Sequence, residues 1–334
     1  MINLLSKLCT LNGASGNEAP VRNEIIREID GHCEWKIDAL GNIIAFKKGK
    51  KTPKKKILLD AHTDEVGVIA TYITDDGFIN FSTVGGINTE CLLSRRVVFQ
   101  NGTLGVIGQK PIHLLSKEEG KKLPELSSLY IDIGCDSKEE AEKYVCPGDT
   151  AVFDAPFNET NGFITAKAID DRAGCAIIIN LIKGEPEYDF YASFSVQEEV
   201  GLRGAATAAF GVAPDFAICL EATTASDIAG VEGAAKVCSI GMGPAISFMD
   251  NSTLYDRELF AAAKNCGVKC QVKTAVAGAN NAGSIHKSRE GVRTITISVP
   301  CRYIHSASCC AHIDDINGAL QLAEKMISII EGEL

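Results

Sequence analysis

His62 and Asp64 sit two residues apart, directly after the apolar run Ile57-Leu58-Leu59. On an extended backbone such a pair points to one side, where a carboxylate can hold an imidazole in its metal-binding tautomer. Four further segments put candidate ligands beside apolar runs. Asp170 and Asp171 precede Arg172 and an apolar stretch, although acids also suit the first turn of a helix. Glu198 and Glu199 follow Ala192-Ser193-Phe194-Ser195-Val196. Charge at the end of an apolar strand is costly unless it is paired or bound to metal. Adjacent residues diverge there, so the pair suits two roles, one glutamate for a metal and one for substrate or water. Glu221 ends Ala217-Ile218-Cys219-Leu220, and His305 lies in Cys301-Arg302-Tyr303-Ile304-His305-Ser306. His62, Asp170, Glu199, Glu221 and His305 make a mixed nitrogen and oxygen set. Such a set suits a pair of divalent ions, Zn2+, Co2+ or Mn2+, rather than a thiolate cage.

These side chains need elements to carry them. Apolar spacing after Pro20 predicts a helix over 21–29. Strand-like runs at 43–46 and 57–61, joined by a lysine-rich turn with seven lysines in 47–56, predict a hairpin with a solvated tip. Between about 66 and 156, short β-like runs alternate with Gly, Asn and Asp turns, which predicts a small inserted all-β module. After Thr165 the pattern becomes α/β. Helices are expected at 173–182, 204–210, 255–266 and 313–330, and strands at 190–196, 216–220 and 294–299. That alternation implies an α/β fold: a mixed sheet flanked by helices on both faces, with the small β-barrel-like module inserted.

The composition narrows the class. The chain has 334 residues, 46% hydrophobic and 23% charged, enough apolar material to bury a core. No apolar run approaches the roughly 18 residues of a membrane span. A formal charge of −10 argues against broad nucleic-acid binding. Thirteen cysteines, an odd count without C-x-x-C, read as reduced thiols. With no signal-peptide pattern at the first residues, the expected location is the cytoplasm.

The order of motifs resembles the tetrahedral (TET) or glutamyl aminopeptidase family of two-metal peptidases. The matching segments are Gly13-Ala14-Ser15-Gly16-Asn17-Glu18, Asp38-Ala39-Leu40-Gly41-Asn42, Ala61-His62-Thr63-Asp64-Glu65-Val66-Gly67, Ile169-Asp170-Asp171-Arg172, Gln197-Glu198-Glu199-Val200-Gly201 and Arg302-Tyr303-Ile304-His305-Ser306. The resemblance covers essentially the whole chain. It implies metal ligands at His62, Asp170, Glu199, Glu221 and His305, with Asp170 shared by two divalent ions. It places the general base on Glu198 and the orienting aspartate on Asp64. The implied activity is release of N-terminal residues from peptides with a free N-terminus, by a metal-bridging water that Glu198 activates. Implied too are a catalytic domain over 1–66 and 161–334, an inserted domain over 67–160 for oligomer contacts and the active-site entrance, and a dodecamer built from dimers.

Two positions depart from the family pattern. Glu221 stands where many members carry Asp, and Asn280-Asn281 where Thr-Asp is usual, which removes a charge expected near the substrate. His286 is a further candidate for the pocket, His113 a structural residue, and His32 and His312 surface residues. Rival readings are a glycosidase, whose paired carboxyls need no histidines, and a catalytically silent scaffold on the same fold. The complete set of ligands and base speaks against both.

Overall fold

The computed structural model describes residues 1–114, 116 and 122–333. Two helices open the chain, α1 (Ile2–Thr10) and α2 (Ala19–Ile29), with Pro20 in the first turn of α2, where no N–H donor is needed. Strands β1 (Glu34–Ile37), β2 (Ile43–Lys47) and β3 (Ile57–His62) follow. The next segment holds β4 (Gly67–Ile73), β5 (Ile79–Val84), β6 (Arg96–Phe99), β7 (Leu104–Gly108), β8 (Tyr130–Asp132), the short α3 (Lys138–Ala141) and β9 (Thr150–Phe153). Then come β10 (Asn158–Thr160), β11 (Phe163–Ala166), α4 (Ile169–Lys183), β12 (Phe190–Ser195), α5 (Arg203–Val212) and β13 (Phe216–Thr224). The chain closes with β14 (Ala245–Ile246), α6 (Arg257–Asn265), β15 (Gln271–Val272), α7 (Ala282–Ile285), β16 (Arg293–Cys301), β17 (Cys309–His312) and α8 (Ile313–Glu333).

Eight strands form one mixed sheet in the order β1-β2-β12-β3-β13-β16-β14-β15, and β12, β3, β13 and β16 run parallel through its centre. Side-chain alternation sorts the central strands between two helical layers. Ile57, Leu59 and Ala61 of β3 join the larger core with α1, α4 and α8, while Leu58 packs with α5 and α7. The α/β architecture expected from the sequence is thus present. Six strands, β4-β5-β8-β7-β6-β9, close into an antiparallel barrel around its own apolar core, which includes Val68, Phe99, Ile107 and Ile131.

The expected hairpin between 43–46 and 57–61 does not form. β12 lies between β2 and β3, antiparallel to the first and parallel to the second. β3 is buried at all its positions, so it needs a partner on each edge and helices on each face, which a hairpin partner alone would not supply. The lysine-rich connection runs instead beside the approach to β12, with Lys51 N–H donating to the Glu187 carbonyl.

Candidate metal centre

Parallel pairing sets the two strand-borne ligands side by side. Asp60 of β3 is in register with Cys219 of β13, and two residues further on the same alternation aligns His62 with Glu221. The ring of His62 is oriented from behind. Its Nδ1 lies 3.1 Å from the Asp64 carbonyl oxygen and 3.4 Å from Asp64 Oδ1. With the Nδ1 proton donated there, Nε2 is left free to accept. It faces Asp170 Oδ1 at 3.2 Å and Glu221 Oε2 at 3.7 Å.

His305 repeats the arrangement from a loop after β16. Its Nδ1 donates to the Gly86 carbonyl at 2.8 Å, leaving Nε2 at 3.2 Å from Glu199 Oε2 and 3.5 Å from Asp170 Oδ2. Each oxygen of Asp170 therefore faces a different histidine. The Gly86 loop comes from the barrel, and Gly85 lets it approach: a Cβ there would lie 2.9 Å from Val66 Cγ1 and 3.2 Å from Glu199 Cβ.

Glu198 and Glu199 stand in the turn between β12 and α5. Asp64 holds that turn by accepting the Glu198 N–H on Oδ1 at 3.0 Å and the Glu199 N–H on Oδ2 at 3.1 Å, with Ser15 Oγ donating at 2.6 Å. Non-glycine residues with positive φ flank the cluster at Ala168, Gln197, Leu202, Tyr303 and His305. Such local strain persists where surrounding contacts over-determine it.

The electrostatics describe a cation-shaped deficit. Burial pushes Glu198 up to about 8, and Glu199, Asp170 and Asp64 add to the rise against the opposing pull of His62. Burial, then the charge of Asp171, also holds Glu221 well above the carboxylate range. Burial alone would lower the histidines, but Asp170 and Glu199 lift His305 to about 11, and Asp170 and Asp64 lift His62 well above its ordinary value. Protons thus gather where several carboxylates crowd together. A metal fits the same place. Donor atoms of His62, Asp171 and Glu221 lie within 4.8 Å of one another, as do those of His62, Asp170 and Glu199. Glu221 Oε1 is buried with no hydrogen-bond partner, the condition that coordination would relieve.

Asp171 stands beside Asp170 in the sequence, where only Asp170 was given a role. Its Oδ2 accepts the His62 N–H at 3.2 Å and its Oδ1 the Gly174 N–H at 2.9 Å, so it clamps the ligand-bearing backbone. Equally unforeseen is a buried cluster behind the site. Glu65 Oε1 accepts from Lys167 Nζ at 2.6 Å, Arg172 at 3.2 Å and Gly13 N–H at 3.1 Å. Two expectations need correcting. Asn281 faces away from the substrate side, donating to Asp60 Oδ2 at 2.7 Å and Ser195 Oγ at 2.8 Å, so its missing charge bears on a buried network below the ligands. His286 is not on the wall of the adjoining cavity; its Nδ1 lies 2.7 Å from the Ala282 carbonyl oxygen within α7. That cavity, of about 740 Å³, is lined on one side by His62, Asp170, Glu198, Glu199, Glu221 and His305.

Solved structures share this build. The TET aminopeptidase of the marine sediment archaeon Thaumarchaeota archaeon SCGC AB-539-E09 superposes with a TM-score of 0.95 at 34% identity, covering 99% of this chain and 97% of its own. The TET1 peptidase of Pyrococcus horikoshii, whose copies assemble into a tetrahedron or a large octahedral shell, gives 0.86 at 35% identity over 100% and 99%. Fold and relatives together define the class, a peptide hydrolase of the aminopeptidase type. The family model for M42 glutamyl aminopeptidase matches residues 41–322, and the chain belongs to that family. A protein of Acetivibrio thermocellus named as an aminopeptidase is 41% identical over 98% of both chains.

Proposed function

We propose that this aminopeptidase is metal-dependent, with His62, Asp170 and Glu221 holding one divalent ion and Asp170, Glu199 and His305 a second. The observation that carries this is the placement of the two Asp170 oxygens against different histidines. The oxygen-rich set with two imidazoles suits Zn2+ or Co2+, with Mn2+ as a further fit. When bound, such a pair supplies Lewis-acid polarisation of the scissile carbonyl, an acidified water and an anchor for the free amino terminus.

The chain's own residues do the rest. Glu198, buried on the cavity wall and held high in pKa, takes the proton of the attacking water and delivers it to the leaving amine. Asp64 fixes the His62 ring and, through two backbone N–H groups, the height of both glutamates. Residues 1–66 and 161–334 form the catalytic domain in this reading. Residues 67–160 form the inserted domain that bounds the entrance, in keeping with Gly86 on the cavity wall. The assembly of the P. horikoshii relative supports a homo-oligomer, a dodecamer built from dimers. Thirteen free thiols, with no disulfide among the described residues, favour the cytoplasm.

Glu198→Gln keeps the ligands but removes the base. It should retain bound metal while kcat falls by about 100-fold to 10,000-fold, measured on aminoacyl p-nitroanilides beside metal analysis of the same sample. Full activity in that variant rules out the assignment.

A further inference from the structure

His305 rides on the loop between β16 and β17, where Tyr303 and His305 both take left-handed backbone, with φ of 59°. A non-glycine residue stays there only where neighbouring contacts over-determine it. Burial supplies few of those contacts, since Tyr303 and Ser308 are exposed. On the barrel side the anchors are the His305 Nδ1 bond to the Gly86 carbonyl at 2.8 Å and Ala307, which is buried in the barrel's apolar core. On the sheet side the side-chain anchor is Arg302. Its Nε donates to Asp227 Oδ1 at 2.7 Å and its Nη2 to Asp227 Oδ2 at 2.8 Å. The backbone of Arg302 exchanges two hydrogen bonds of 2.9 Å with Cys310, which closes the base of the loop.

Asp227 belongs to the segment that follows Glu221. β13 and β16 run parallel, with Glu221 opposite Ser298 and Thr224 opposite Cys301. Beyond those strand ends the Ala225 N–H donates to the Cys301 carbonyl at 2.9 Å, and the Arg302–Asp227 fork carries the association further. Asp227 is itself fixed, because its Oδ2 also accepts the Ile240 N–H at 3.0 Å. Burial opposes its ionisation, but Arg302 and that N–H hold its pKa below the ordinary 3.8. Two planar groups that meet bidentately set orientation as well as distance. The fork therefore relates Glu221, a proposed ligand of one ion, to His305, a proposed ligand of the other. Neither Arg302 nor Asp227 lines the cavity, so the pair acts through the ligands.

We infer that Arg302 and Asp227 are positioning residues that set His305 against Asp170 and Glu199, and so govern the affinity for the ion that His305 holds. The inference rests on the proposed two-ion centre. Without the fork the loop keeps its barrel anchors, and the His305 ring follows the barrel instead of the segments that carry Asp170 and Glu199. An ordinary partly exposed ion pair would add a little stability and leave ion affinity alone.

The test is Co2+ titration of the metal-free wild type and of R302M, R302K, D227N and H305A. Cobalt absorption and native mass spectrometry count the ions, and the Tm of each metal-free protein is measured alongside. The wild type should take two ions, and H305A identifies the one that His305 holds. R302M and D227N should bind that same ion about 10-fold more weakly, while the other ion keeps its wild-type affinity and the metal-free Tm changes little. R302K keeps the charge but lacks the fork, and should recover only part of the loss. The double variant R302M/D227N should be no weaker than R302M alone, the mark of a shared interaction. Wild-type affinity for both ions in R302M and D227N overturns the inference and leaves the two-ion centre standing. Equal weakening of both ions, or weakening that tracks a fall in metal-free Tm, means that the pair only supports the fold, and this also overturns it. A wild type that takes fewer than two ions, or an H305A protein that keeps both at full affinity, removes the two-ion centre and the inference with it.

Discussion

Asp64 shows how much one buried carboxylate can position. It touches His62 from behind, accepts the N–H groups of Glu198 and Glu199, and takes a hydrogen bond from Ser15, all while fully buried. Its carboxyl stays below the usual range because His62, Ser15 and the Glu198 N–H outweigh burial, the largest opposing influence. Asp64→Asn replaces one acceptor oxygen with an amide that faces a donor. The loss should be about 10-fold to 100-fold in metal affinity or kcat/KM, the usual scale for a partner behind a ligand, read by chelator competition and steady-state kinetics. One residue along, Glu65 plays no part in the chemistry but balances Lys167 and Arg172, both almost wholly buried. Glu65→Gln leaves two buried cations without their counter-charge, and should cost about 3–5 kcal/mol of stability in urea titration. An undiminished midpoint there means that other groups neutralise the pair.

At the scale of elements, helix α6 illustrates a local signal that the structure uses twice. Asp256 caps it by accepting the N–H groups of Glu258 and Leu259 at 3.0 and 2.9 Å, and its carboxylate also meets Arg293 of β16 at 2.7 Å. Burial opposes ionisation, but Arg293 and those N–H groups hold the Asp256 pKa below its ordinary value of 3.8. A depressed folded pKa means stability that is present above the unfolded value and lost as pH falls through the folded one. Asp256→Ala should therefore cost about 1–2 kcal/mol near neutral pH, and the gap to wild type should narrow as the solution is acidified below 3.8; denaturation at several pH values measures both. Long periodic segments were the legible part of this fold. The expected helices at 21–29 and 173–182 and the strands at 190–196, 216–220 and 294–299 all lie on real elements. Helix α1 escaped, since its nine residues lie in a stretch with no cap signal. The pairing of β2 with β12 escaped for a deeper reason, because order in a sheet is fixed by long-range burial that local pattern does not encode. The same divide runs through the site. The candidate ligands, which the structure gathers into one cluster, stand at or beside apolar segments and were readable as candidates from type and position. Asp171, Ser15 and the Glu65 cluster matter through contacts between distant segments, which one-dimensional spacing does not reveal.

The whole molecule joins a sheet and a barrel at the site itself. His305 donates to Gly86 in the barrel's loop and turns its other nitrogen toward Glu199 and Asp170 of the sheet side, so a cation held there, as proposed, would tie the two together. Charge gives this tie its strength. Setting aside the seven lysines of 47–56, the remaining chain carries a formal −17, and part of that excess is the carboxylate cluster. Without cations the cluster is neutralised only by protons, as the raised pKa values of Glu198 and Glu221 express. Anything that binds the folded state alone stabilises it by mass action. Free metal at a thousand times Kd contributes about 4 kcal/mol per site, which for a chain of this length is about 6 °C in Tm. Chelation should therefore lower Tm by at least that much under those conditions, and hydrogen exchange should quicken in the 84–87 loop as well as in 302–308. Restoring Zn2+ or Co2+ should reverse both effects. An unchanged Tm in protein shown by metal analysis to have lost its ions means that the cluster does not hold them in the folded state.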